Sequence, residues 1–113
     1  MKDALRSAIT EVFHEAGLAM RAQDFHAAYR WIERAHILTQ RMPLAHAKCH
    51  WLLLKLGLLT KDWREVMGQI PRIVAALLFS KIWVPVGNTG RARVSAFSAM
   101  PLPADLAELL RED

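Results

Sequence analysis

A chain of 113 residues and 12.8 kDa has room for one hydrophobic core and not two, which excludes a multidomain enzyme. Its 53% hydrophobic and 23% charged content is that of a folding domain, far from the polar, highly charged compositions that stay disordered. Fifteen Lys and Arg against eleven Asp and Glu give a net charge of +4, modest for a nucleic-acid binder, and the basic residues lack the interleaved aromatics on which bases stack. The single Cys49 cannot form an internal disulfide, and Met1-Lys2-Asp3 runs into helix-forming sequence without an apolar leader, so the expected setting is a reducing cytoplasm. The most apolar stretch, Ile70 to Val86, is interrupted by Pro71, Arg72 and Lys81 and falls short of the roughly 20 apolar residues a spanning helix needs; no membrane is expected as a partner.

From Leu5 to Met20, apolar residues recur at three- and four-residue intervals through Ala8, Ile9, Val12, Phe13, Ala16 and Ala19, the spacing of one helical face. Asp24 is an N-cap for a second helix whose stripe is Phe25, Ala28, Ile32, Ala35 and Thr39, ending near Gln40. Pro43 suits the first turn of a third helix, Leu44 to Leu58, with Gly57 near its end. Asp62 followed by Glu65 is a D-x-x-E capping box for a fourth helix through Ile70, Ile73, Val74 and Leu77, which Pro71 should kink or break. After Lys81 the chain mixes β-formers with turn residues and loses helical period. Trp83, Val84, Val86, Val94, Phe97 and Met100 read as an arm laid against the helices, and Pro101 and Pro103 introduce a last short helix, Ala104 to Leu110.

The segments beginning Asp24-Phe25 and Asp62-Trp63, offset by 38 residues from position 24 to position 62, match like second helices of successive hairpins. Phe25, Ala28, Ile32 and Ala35 against Trp63, Val66, Ile70 and Ile73 resemble the second-helix positions of a tetratricopeptide repeat; any antiparallel helical hairpin of this size shows similar spacing. The expected fold is all-α: one domain over residues 1–113, with two antiparallel hairpins of four main helices over 1–82 and an arm with a short terminal helix over 83–113. The acids Asp105, Glu108, Glu112 and Asp113 at the C-terminus are placed to fold back on the acid-free, basic stretch between Glu33 and Asp62.

Two E-x-x-H spacings occur. Glu11 and His14 fall opposite the apolar stripe of the first helix and should face solvent. His46 and His50 lie about half a turn from Lys48 and Lys55 and should point inward, four apart, a spacing that lets two imidazoles share a metal ion. Glu33 and His36 flank the buried stripe of the second helix. Glu33, His36, His46 and His50 together would supply a carboxylate and three imidazoles, a set suited to zinc, iron, nickel or copper. The alternative is that the histidines are core residues bonded to Glu33, Gln40 or carbonyls of the arm. Cys49 reads as a small buried hydrophobe. Gly87, Asn88, Thr89, Gly90, Arg91 and Arg93 form a loop that can offer N–H groups and guanidinium ions to an anion; a turn redirecting the chain is the competing reading.

Glu33-Arg34-Ala35-His36-Ile37-Leu38, His46 to Trp51, Val84-Pro85-Val86-Gly87-Asn88-Thr89-Gly90 and Met100-Pro101-Leu102-Pro103-Ala104-Asp105-Leu106 together resemble the bacterial family termed domain of unknown function 3703. The resemblance runs from about Asp24 to Leu106. In that family the loop continues with glycine and asparagine, where this chain has Arg91 and Arg93. It implies the helical fold and a bacterial cytoplasmic setting, and it carries over no catalytic residue, since the family has no established activity. No nucleophile with a base and no separated carboxylate pair is evident, so the chain is not read as an enzyme. The leading expectation is a protein- or peptide-binding module, or a homodimer, using a groove between the second and third helices under the arm. A metal protein built on the Glu and His cluster comes second, and weak anion or nucleic-acid binding through the basic face third.

Overall fold

The computed structural model describes residues 1–111; Glu112 and Asp113 of the acidic C-terminus lie outside the described residues. Five helices follow one another: α1 (Asp3–Arg21), α2 (Phe25–Thr39), α3 (Pro43–Thr60), α4 (Trp63–Phe79) and α5 (Ala104–Arg111). The caps act where the sequence puts them. Asp24 accepts from Ala27 N at the start of α2, and Asp62 accepts from Glu65 N at the start of α4. Pro43 opens α3, and Lys61, in the left-handed region at φ 57°, ends it by donating its N–H back into the last turn. α4 runs unbroken through Pro71.

α1 packs on α2, α3 on α4, and α2 joins the two hairpins by packing on α3; α5 closes the far end against α1 and α2. This serial stacking is consistent with a tetratricopeptide-like arrangement. α3 is sandwiched, so it must be apolar on more than one side, and Leu53, Leu56 and Cys49 are fully buried there against Ile32, Ala28 and Ala35 of α2. Burying side chains the size of Leu53 or Ile32 contributes about 1.5–3 kcal/mol each. Leu106 anchors α5 to this core, and Asp105 accepts from Arg34, which brings part of the acidic C-terminal stretch onto the basic middle. Among the described residues no helix is long and apolar enough to cross a membrane.

α4 departs from its expected orientation. Its inward side carries Glu65, Gln69, Ala76 and Ser80, spaced four, seven and four, while Trp63, Met67, Ile70, Val74 and Leu77 form an outward apolar stripe. The helix is inside out because its polar side chains have buried partners to meet. Ile70, paired with the buried Ile32 by the 38-residue offset, therefore faces solvent, and the two second helices are not equivalent in burial. The capping box is half formed: Asp62 caps, but the Glu65 carboxylate turns inward instead of back to Asp62 N, which bonds Gly57 O. That carboxylate accepts from Arg91 Nε at 2.6 Å, Ala92 N at 2.8 Å and Gln69 Nε2 at 2.5 Å, and so pins the arm to α4.

The arm, residues 82–103, is a chain of turns. Val84 is buried and Val94 and Met100 half-buried, while Trp83, Val86 and Phe97 stay exposed, so apolar burial accounts for only part of the arm's attachment to the helices. Polar contacts supply the rest. Gln40 donates to Pro85 O and accepts from Gly87 N, Arg72 donates to Val94 O, and the Arg91 guanidinium lies 3.8 Å from the centroid of the Tyr29 ring.

Because Glu65 is buried and serves three donors, Glu65→Ala leaves the Arg91 guanidinium without one of its carboxylates and two other donors unmatched. A loss of about 3–5 kcal/mol in urea unfolding is expected, with earlier proteolysis of the arm than of the helices. A change under 1 kcal/mol would mean that the arm is held some other way.

Candidate metal centre

His36 lies in the last turns of α2, and His46 and His50 lie one turn apart on the side of α3 that faces it. All three are buried. Their Nε2 atoms converge: His36 to His46 is 2.9 Å, His46 to His50 3.1 Å and His36 to His50 3.2 Å. Each Nδ1 points the other way, to an oxygen. His36 Nδ1 is 2.7 Å from Asn88 O, His46 Nδ1 2.8 Å from Ser80 Oγ, and His50 Nδ1 2.6 Å from Gln69 Oε1.

These partners decide where the protons are. The Asn88 carbonyl only accepts. Gln69 donates its amide hydrogens to Glu65 and to Gly90 O, so its Oε1 is the acceptor facing His50. Ser80 donates its hydroxyl hydrogen to Ala76 O, leaving its oxygen to accept from His46. All three imidazoles therefore carry hydrogen on Nδ1 when neutral, and three Nε2 lone pairs face one another inside the protein. Lone pairs at this separation repel unless a cation sits among them. A tetrahedral ion with metal–nitrogen bonds of about 2.0–2.1 Å sets its ligand nitrogens about 3.3 Å apart, so the triangle needs to open by only a few tenths of an ångström. The outer acceptors are those that orient metal-bound histidines generally.

The chain around the site is built for closeness. Gly90, at φ 85°, packs its Cα face on the His36 ring, and a Cβ there would stand 2.7 Å from His36 Cδ2. A cavity of about 560 Å³ opens beside the three rings, bounded by Pro71, Arg72, Ala75 and Phe79 of α4 and by Trp83, Val84 and Phe97 of the arm. His36 and Gln40 at the end of α2 and His46 and His50 of α3 line it as well, under the arm, and α4 is the wall that the sequence did not announce.

Of the residues singled out in the sequence, His36, His46 and His50 come together and Glu33 does not join them. Glu33 Oε2 is 3.0 Å from Arg91 Nη1, on the flank of α2, where the guanidinium takes the carboxylate that would have been a fourth ligand. Glu11 and His14 are exposed as expected. Cys49 is buried beside Thr39, and burial pushes its thiol up to about 12, so it remains protonated. In the glycine loop Gly87 N bonds Gln40, Gly90 N bonds Asn88 Oδ1, Arg91 joins Glu33 to Glu65, and Arg93 meets Asp62 at 3.3 Å. The donors proposed for an anion are thus turned to internal partners, and the loop serves the fold. Gln69 and Ser80 escaped the sequence reading, and their signal was a polar residue recurring on one side of a mostly apolar α4; Asn88, expected as a loop donor to an anion, instead offers His36 its backbone carbonyl, a bond of the kind expected for a core histidine against the arm.

Desolvation lowers the basicity of each imidazole: His50 to about 3, His46 to about 4, and His36 well below the usual 6.5, with the neighbouring rings adding to the effect at His36 and His50. In the metal-free protein the folded state refuses protons that the unfolded chain accepts below pH 6.5. Stability should therefore be level above that pH and fall as pH drops from 6.5 towards 4, by up to about 1.4 kcal/mol per pH unit for each imidazole held neutral. Urea titrations between pH 7.5 and 5 measure this, and an unchanged midpoint down to pH 5 would show that the trio takes up a proton when folded.

Among curated proteins and among solved structures, none matches the chain. A family model does, over residues 3–110, and its description is protein of unknown function. The match takes in all three histidines and every helix apart from Arg111 at the end of α5, and the chain belongs to that family, DUF3703.

Proposed function

We propose that the protein binds one divalent transition-metal ion, zinc foremost, through Nε2 of His36, His46 and His50. One observation carries this reading: three buried Nε2 atoms lie within 3.2 Å of each other while every Nδ1 hydrogen is already used elsewhere. Imidazole ligation suits zinc, copper, iron and nickel, and three histidines with no carboxylate or thiolate in the set form the pattern of zinc sites that keep a fourth position open. Elemental mass spectrometry of protein purified without chelator should find close to one metal per chain. His46→Ala and His50→Ala should abolish it while helical circular dichroism persists, and Gln69→Ala should weaken zinc about 10–100-fold in chelator competition. Metal retained by both histidine variants, or none taken up from excess zinc, overturns the reading.

A second reading, binding to another protein, is supported by the outward face of α4. Trp63, Met67, Ile70, Val74, Leu77 and Leu78 make one apolar stripe, 47–66% exposed; of the charged residues in that span Arg64 is exposed next to Trp63, Glu65 is buried and Arg72 turns to the arm. A stripe with so little charge matches a second copy of itself across a twofold axis better than a charged partner. At on the order of 100 Å² exposed per large side chain, pairing would bury roughly 1,200 Å² over both copies, the lower end of a stable interface. We propose a homodimer through this stripe. Its mass in solution should be twice that of the chain, and Val74→Glu should give a folded monomer; a wild-type monomer at 100 µM, whether or not it adheres to lipid vesicles, overturns it.

A further inference from the structure

We propose that the fourth coordination position of the metal is filled by an organic anion, a carboxylate or thiolate, whose apolar body occupies the cavity between α4 and the arm. The proposal rests on the metal reading above and adds what the centre takes.

Charge is the first argument. Three neutral imidazoles leave both charges of a divalent ion uncompensated. Arg72 is the other ionisable side chain in the cavity wall, and it is cationic; no acid lines the cavity among the described residues. The nearest buried carboxylate, Glu65, is engaged by Arg91. A divalent ion in this setting selects an anionic fourth ligand over a neutral one, because burial makes the unbalanced charge costly.

Shape is the second argument. The three rings form part of the cavity wall, and the remainder is mostly hydrocarbon, with Pro71, Ala75, Phe79, Trp83 and Phe97 prominent and Gln40, Arg72, Ser80 and Asn88 as its polar members. Phe79, Trp83 and Phe97 are more than half exposed, so the mouth opens to solvent and a ligand can enter without the core parting. The volume of about 560 Å³ is far larger than a water or hydroxide needs and lies in the range of sites for small organic molecules. One anchoring charge at the end of an apolar chamber is the arrangement that discriminates an amphiphilic anion from a mineral one.

Cobalt(II) replaces zinc and reports its ligands in visible absorption, so the full-length protein loaded with cobalt is titrated with acetate, octanoate, octanethiol and 1-octanol. Octanoate or octanethiol should change the spectrum at concentrations at least 30-fold below those acetate requires, and 1-octanol should leave it unchanged; the stronger of the first two identifies the head group. Ala75→Trp, which narrows the cavity without touching a histidine, should erase the preference for octanoate over acetate by tenfold or more while cobalt stays bound. A cobalt spectrum insensitive to every anion overturns the proposal and leaves metal binding intact. Equal potency of acetate and octanoate overturns the role of the cavity. Failure to bind cobalt or zinc at all brings down the metal reading and this proposal with it.

Discussion

The buried carboxylate of Glu65 is the contact on which the rest of the molecule hangs. It takes hydrogen bonds from Arg91 and Ala92, which fastens the arm to α4, and from Gln69, which turns the amide oxygen of that residue towards His50. Arg91 continues to Glu33 and so ties the arm to α2 as well. A single ion-paired acid therefore links fold and site: it holds the segment carrying Asn88 in place and fixes the proton on one of the three imidazoles. A buried charge with three well-placed donors is stable where a bare one is not.

This arrangement accounts for the unusual orientation of α4. Glu65, Gln69 and Ser80 have buried work to do, so the helix presents them inward and leaves Trp63, Met67, Ile70, Val74 and Leu77 outside. Hydrophobic burial alone would turn the helix the other way. The polar interior side is kept because each of its groups is matched, and the exposed stripe is the consequence.

How far the sequence foretold this differs from element to element. Helix ends were legible because caps are local: Asp24, Pro43 and Asp62 act within a few residues of themselves. The inward direction of His46 and His50 was legible because Lys48 and Lys55 mark the solvent side of α3. Glu33 was placed in the same cluster because it is one turn from His36, and spacing along a helix cannot reveal that Arg91, 58 residues on, claims it. α4 misled for a related reason: periodicity identifies two faces but assigns the apolar one to the core by default, and here tertiary partners reversed that assignment. The exposure of Trp83 and Phe97 was illegible because an irregular arm has no period to read.

The outer acceptors also tie the geometry of the trio to the arm. His46 and His50 share a helix and are together as soon as α3 forms, but a two-imidazole site is a weak and unselective trap. The Nε2 of His36 is aimed only once the carbonyl of Asn88 has arrived, and that carbonyl lies beyond Gly87, whose positive φ brings the chain so close to the Met100 backbone that no side chain fits. On the metal reading proposed above, ligation by all three histidines therefore requires the arm to be in place, so a change that displaces the turn at Gly87 costs metal affinity as well as the anchoring of the arm.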